Sequence, residues 1–326
     1  MLSRVADSIY WLGRYVERAE NYARFIDVNL NLLLDLPPGL NEQWEPLVTV
    51  TGDKDWYTSK YNNFSRDNVV FFMTFDEENP NSIISSISRA RENARIIREN
   101  LARESWEKLN ELYYIVKNAK KKKVWLKNDP RVFFEQIKYG IQLIYGIADN
   151  SVSRTEGWYF SQIGQFLERA DKTSRILDVK YHILLPSLEE VGSTLDFLHW
   201  AALLKSVGGF NTYRRFYGGI EPAGVLEFLA LDQYFPRSIL FCLRQAEKGL
   251  HCVSGSQESG YSNVAEKKLG ALRSELEFAD VNDVMDFGLH EFMDSIQIKI
   301  NNISDEIHNR FFKITDNFTG IQSLQE

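Results

Sequence analysis

The sequence predicts an all-α protein, a helical bundle built from two tandem pseudo-repeats of about 150–170 residues. Three observations predict it. Long segments carry apolar residues at the helical period, and the one from Ser82 to about Val116 lacks Gly and Pro altogether. Strand-like composition is confined to one short run, "NVVFFMTF" (Asn68–Phe75), whose counterpart later in the chain, "GVLEFLALD", reads as helix. And the chain repeats itself: "WLGRYVERAENYARFIDV" (Trp11–Val28) returns as "QIGQFLERADKTSRILDV" (Gln162–Val179), each with Gly, then Glu-Arg-Ala, an acid, Arg and Asp-Val in the same order.

The first helix should start near Ser3 and run to about Leu36, where "PPG" ends it. At 100° per residue, Leu12, Tyr15, Val16, Ala19, Tyr22, Ala23 and Ile26 share one face and the charged residues the other. Ser82 to about Val116 reads as a second long helix, and Pro130–Ile147 as a third. A fourth spans Ser153–Leu185, and shorter pieces follow near Trp200, Leu226 and Leu240. The last long ones cover Asn263–Phe278 and Val284–Ile314, and Val253–Asn263 is a polar loop.

The repetition continues past the opening helix. Trp44, Tyr57, Tyr61, Phe72, Asp76, Pro80 and Ser82 match Trp200, Tyr213, Tyr217, Phe228, Asp232, Pro236 and Ser238 at a spacing of 156, against 151 for the first helices. We therefore divide the chain into residues 1–150 and 151–326, packed as one unit around a common core. The recurring aromatics read as core anchors and the Pro-x-Ser segments as helix starts.

Composition narrows the function. A net charge of −7 argues against a nucleic-acid footprint. Lys120–Lys123 reads as a solvated connection. No apolar run approaches the ~18 residues of a membrane span, and "MLSRVADSIYW" does not read as a signal peptide. Two cysteines, Cys242 and Cys252, suit reduced thiols in a cytoplasmic protein. None of the five histidines falls in an H-x-x-x-H or E-x-x-H pattern, and there is no P-loop, no G-x-G-x-x-G after a strand and no G-x-S-x-G, so neither metal nor cofactor is predicted.

The charged face of the repeated helix is the informative feature. Glu20–Arg24 and Asp171–Arg175 are i,i+4 pairs, each worth about 0.2–0.5 kcal/mol on an exposed helix, and read as local surface pairs. Arg18 and Arg169 find no acid three or four residues away, so each should reach another helix or a ligand. Gly13 and Gly164 each cost about 1 kcal/mol mid-helix relative to Ala. A close backbone approach would offset that. Arg89, Arg91, Glu92, Asn93 and Arg95, with Arg154, Glu156 and Trp158, are the other polar residues that such arginines could meet.

The opening "MLSRVADSIYWLGRYVERAENYARFIDV" resembles the start of the bacterial alpha-E domain family. The likeness continues through "SISRARENARIIRENLARESWEKLNELY", "SRTEGWYFSQIGQFLERADKTSRILDVKYHILLP" and "FLALDQYFPRSILFCL". The resemblance implies an all-helical fold, a link to circularly permuted ATP-grasp ligase-like and transglutaminase-like proteins, and a shared site at Arg14, Glu17, Arg18, Asn21, Arg24, Arg91, Glu92, Asn93, Arg95, Arg154, Glu156, Trp158, Glu168, Arg169 and Arg175. Gln165 departs from the family pattern, which has Arg there as Arg14 is in the first copy.

Three functions compete. The first is an accessory or binding module of a peptide- or amide-ligation system, presenting a charged pocket between the repeats to an anionic peptide or a phosphorylated ligand. The second is an enzyme using Glu17 or Glu168, its pKa raised by partial burial, as acid or base. The third is a scaffold whose charges only pair with one another. Whether Glu17–Arg18 and Glu168–Arg169 converge on one cleft separates them.

Overall fold

Helical periodicity is realised almost throughout. Fifteen α-helices and no strand occur among the described residues of the computed structural model, which are 1–35, 42–126, 129–182 and 193–313. In order they are α1 (Ser3–Asp35), α2 (Glu45–Thr51), α3 (Lys54–Lys60), α4 (Arg66–Thr74), α5 (Ile83–Ile96), α6 (Arg103–Lys121), α7 (Arg131–Ser151), α8 (Glu156–His182), α9 (Thr194–Ser206), α10 (Phe210–Tyr217), α11 (Pro222–Leu226), α12 (Ile239–Ser254), α13 (Val264–Glu277), α14 (Val281–Phe287) and α15 (Leu289–Ile307). The expected ends at Leu36, Leu185 and Ile314 lie outside the described residues.

Most of the expected elements are present, including "NVVFFMTF" as helix, which buries Val69, Val70, Phe72 and Met73 in α4. Ser82 and Ser238 cap α5 and α12, accepting from the backbone N–H of Ser85 and Phe241. Two expectations fail in the same way. The single helix expected over Ser82–Val116 is a hairpin, α5 and α6, joined by a 3-10 turn at Arg98–Asn100 and extended backbone at Leu101. Helix-forming residues fill the break, but folding back lets Ala90, Ala94 and Ile97 share a core with Leu109 and Leu112, and burial outweighs propensity. The helix expected from Val284 is broken at Gly288, whose φ of +105° no helix permits, so α14 ends at Phe287 and α15 begins at Leu289.

The architecture is two rings of four helices sharing a seam. In one, α1 packs on α5 and α7, and α6 closes the ring between them; in the other, α8 packs on α12 and α15, closed by α13. The seam is α1 against α8. The short helices α2–α4 and α9–α11 lie between the first and second helix of each ring and reach across the seam, α9 onto α1 and α2 onto α8. Their aromatic clusters match. Tyr57 stacks on Tyr61 at 4.7 Å and Tyr213 on Tyr217 at 4.8 Å, with Phe72 and Phe228 edge-on to the first ring of each pair. Trp44, Trp200, Tyr57, Tyr213, Phe72 and Phe228 are all buried, as core anchors should be. Cys242 is buried and Cys252 exposed, both as free thiols.

Candidate functional site

The two long helices run in the same direction, which sets every pairing between them. The Met1 ammonium meets Glu156, Gly13 meets Ser161, and Arg18 meets Glu168. A Cβ on Gly13 would overlap the Ser161 carbonyl oxygen, and a Cβ on Gly164 would overlap that of Tyr10. Ser161 and Tyr10 are themselves 151 residues apart, the spacing of the two glycines. Backbone contact at both positions is the close approach their cost in the sequence required.

That contact brings the Glu-Arg dipeptides together crosswise. Arg18 donates from Nε to Glu168 Oε1 at 2.6 Å and from Nη2 to Oε2 at 3.0 Å. Arg169 donates from Nε and Nη2 to the two oxygens of Glu17 at 2.9 and 2.7 Å. Each is a two-bond grip that suits a guanidinium. Arg14 Nε adds a bond to Glu168 at 2.7 Å, and its Nη1 reaches Tyr10 and Ser304. Glu20 accepts from Arg24 and Arg237, both at 2.6 Å; Asp171 accepts from Lys172 at 2.5 Å and Arg175 at 3.1 Å. Arg24 then crosses the seam to the Ser206 carbonyl at the end of α9, and Arg175 crosses it to the Val50 carbonyl near the end of α2, each at 2.6 Å. Helix C-terminal carbonyls favour a cation.

Four carboxylates (Glu17, Glu20, Glu168 and Asp171) thus face seven cations (Arg14, Arg18, Arg24, Arg169, Lys172, Arg175 and Arg237). Burial by itself would raise the carboxyl pKa values, but the guanidinium charges and hydrogen bonds outweigh it. Glu17 and Asp171 are lowered, Glu168 falls well below its usual range, and Glu20 falls to about 2. Two expectations are corrected here. Glu17 and Glu168 have no solvent exposure, and the arginines that grip them lower their pKa values where an acid or base working near neutral pH needs them raised. The pairs Glu20–Arg24 and Asp171–Arg175 are not on the surface: Glu20, Arg24 and Asp171 are buried because α7, α9 and α12 cover the charged face of α1 and α8.

The residues expected to line a charged pocket between the repeats separate into three groups. Arg14, Glu17, Arg18, Asn21, Arg24, Glu168, Arg169 and Arg175 meet in the network; Asn21 bonds Glu17 at 2.8 Å. Arg91, Glu92, Asn93 and Arg95 lie elsewhere. Arg91 donates to Asn110 and stands over Tyr113, while Glu92 pairs with Arg95 at the surface. Asn93 lines a shallow surface cleft with Asp7, Trp11, Tyr15 and Arg89. Arg154 stacks on Trp158 at 3.6 Å and pairs with Asp149; Glu156 holds the Met1 ammonium. Sequence reasoning missed Arg237, Lys172 and Tyr145. Arg237 carried a signal: it stands between Pro236 and Ser238 where the first copy has Asn81, and Asn81 also reaches the network, accepting from Arg18 Nη1 at 3.0 Å.

Beside the network a cavity of about 360 Å³ opens between α1, α6, α7 and α8. Ile9, Leu12, Val16, Leu101, Leu109 and Ile144 give it apolar walls; Gln162 and Gln165 place two primary amides in it, the first donating to the second at 3.2 Å. Trp158 also lines it, and Tyr145 joins it to the network by donating to Glu17 at 2.8 Å. Gln165 stands on α8 where Arg14 stands on α1, so this position contributes an amide and not a charge, while Asp149, paired with Arg154, also lines the cavity.

No solved structure matches the chain. It is 23% identical over 274 residues to an uncharacterized protein of Mycobacterium bovis and equally to uncharacterized proteins of two Mycobacterium tuberculosis strains, covering 78% of this chain and 30% of each relative. The chain thus spans about 30% of the length of the curated relatives it matches. A family model described as a predicted alpha-helical domain with a conserved ER motif matches residues 1–312. Glu-Arg occurs twice in this sequence, at Glu17–Arg18 and Glu168–Arg169, and those two dipeptides are the crossed pairs at the seam. The chain belongs to the Alpha-E family.

Proposed function

We propose that the chain is a non-catalytic binding module of an amide-ligation system, with the Glu/Arg network as its frame and the adjoining cavity as its binding site. The cavity is the observation that carries this reading. Its volume of about 360 Å³ lies in the range of small-molecule sites. Its apolar walls and the two amides of Gln162 and Gln165 suit an uncharged ligand, or an uncharged segment of a larger one, that is mostly apolar and carries an amide. The frame supplies no free carboxylate, so the reaction falls to a partner. The resemblance to proteins linked with ATP-grasp ligase-like and transglutaminase-like partners supports the choice of an amide-forming system.

The test fills the cavity without touching the network. Ala148→Trp should fold, keep its melting temperature, and fail to support amide formation by the ATP-grasp ligase-like partner. Full support by the filled variant sinks the reading and favours a scaffold of paired charges alone. Amide formation by the chain without the partner would restore the enzyme reading at a site other than Glu17 or Glu168.

A further inference from the structure

The seam ends in two carboxylates that occupy corresponding places and are answered differently. Asp27 closes the repeated stretch of α1 and Asp178 that of α8, and both are buried. Asp27 is met by the Lys138 ammonium from α7. Asp178 is met from α15, the helix that packs on α8 as α7 packs on α1, by His290, whose Nδ1 lies 2.8 Å from Oδ1. A second imidazole joins it: His182, one turn beyond Asp178 on α8, places Nε2 3.8 Å from Oδ2. The two imidazoles stand edge to face, ring centres 5.3 Å apart.

One cation suffices for a buried carboxylate, as Lys138 demonstrates. Two imidazoles converging on it add repulsion if both are protonated, but two nitrogens and a carboxylate oxygen form a ligand set when both are neutral. The three donor atoms lie within 4.8 Å of one another. Tetrahedral coordination with bonds of about 2.0–2.1 Å separates ligand atoms by about 3.4 Å, so from separations within 4.8 Å the side chains draw together on binding. Asp178 is fixed by burial in α8, while the imidazoles are partly exposed and able to close on an ion. We infer that Asp178, His182 and His290 bind one divalent cation of the zinc class, with three protein ligands and an open position for water. This inference is independent of the cavity and of any ligase partner.

The experiment uses the full chain without a polyhistidine tag, stripped with chelator. Zinc is titrated by calorimetry near neutral pH, and cobalt is followed by its visible absorption. One equivalent of zinc should bind with a dissociation constant in the micromolar range or tighter, and cobalt should give the intense bands of a four- or five-coordinate ion. His290→Lys rebuilds the Asp27–Lys138 arrangement, so it should fold with the metal-free melting temperature of the parent yet lose zinc affinity by about a hundredfold or more. His182→Gln should weaken binding similarly. Absence of saturable binding in the parent overturns the inference. So does zinc affinity that survives His290→Lys, or that is lost instead with Cys252→Ser, the exposed thiol being the competing ligand.

Discussion

Glu168 accepts hydrogen bonds from Arg14 and Arg18 and lies 3.4 Å from the Lys172 ammonium, so its removal leaves three cations facing one another in a buried site. Glu168→Leu should therefore destabilise the protein by about 3–5 kcal/mol, whereas adding Arg14→Met and Arg18→Met should recover most of that loss, because the cost lies in uncompensated buried charge. Urea unfolding measures both; a single variant that loses under ~1 kcal/mol would show that solvent reaches the network. The same residues set a pH dependence. Glu17, Glu20, Glu168 and Asp171 have folded pKa values below their ordinary ones, so the stability they confer is present above the unfolded value of 4.5 for Glu and lost as pH falls through the folded values, about 2 for Glu20. The urea midpoint should fall steeply between pH 4.5 and pH 2; equal midpoints at pH 3 and pH 6 would contradict the assignment. That Arg18 and Arg169 need partners was legible in the sequence, since their own helices offer no acid. The partner's identity was not, because it is the other copy of the same dipeptide and depends on parallel packing. Glu20–Arg24 was misread because i,i+4 spacing is sufficient on its own, and nothing local reports that other helices cover it.

Gly13 and Gly164 decide how closely the two long elements approach. Ala is the better helix former by about 1 kcal/mol, so Gly→Ala on an isolated helix stabilises. At this seam the methyl would overlap a carbonyl oxygen of the facing helix, which cannot yield without moving the whole element and lengthening the crossed Arg–Glu bonds. Packing outweighs propensity: Gly13→Ala and Gly164→Ala should each lower stability by about 2 kcal/mol or more. The double variant should lose less than the sum, since the first displacement already relieves part of the second. Thermal unfolding of the three proteins checks this, and a stabilised single variant would mean the helices are further apart. The glycines were readable because a mid-helix Gly has a cost that needs an offset. The breaks at Arg98–Asn100 and Gly288 were harder. The first contains no Gly or Pro and arises from burial on α6, and the second is a single glycine between Phe287 and Leu289.

Neither ring contains its own charge balance, and that governs the whole molecule. Glu17 of α1 takes its guanidiniums from Arg169 and Arg237, Glu168 of α8 takes its own from Arg14 and Arg18, and Arg24 and Arg175 each bind a carbonyl across the seam. A chain of residues 1–150 alone would expose Glu17 and the apolar and glycine surface that α8 covers, with no partner for Arg14 or Arg18 beyond Tyr10 and Asn81. The division at residue 150 should therefore separate two sequence units that are not independently stable. Expressed separately, 1–150 and 151–326 should each lack cooperative unfolding, because each leaves buried charges unpaired and a large apolar face wet. Mixed or co-expressed, they should form a one-to-one complex with the helical content of the intact chain, since the seam needs no covalent link between α7 and α8. Circular dichroism and size-exclusion chromatography decide it: a monomeric 1–150 fragment that unfolds cooperatively would make the crossed pairs an interface between finished domains, and the network would then be a docking surface instead of a core.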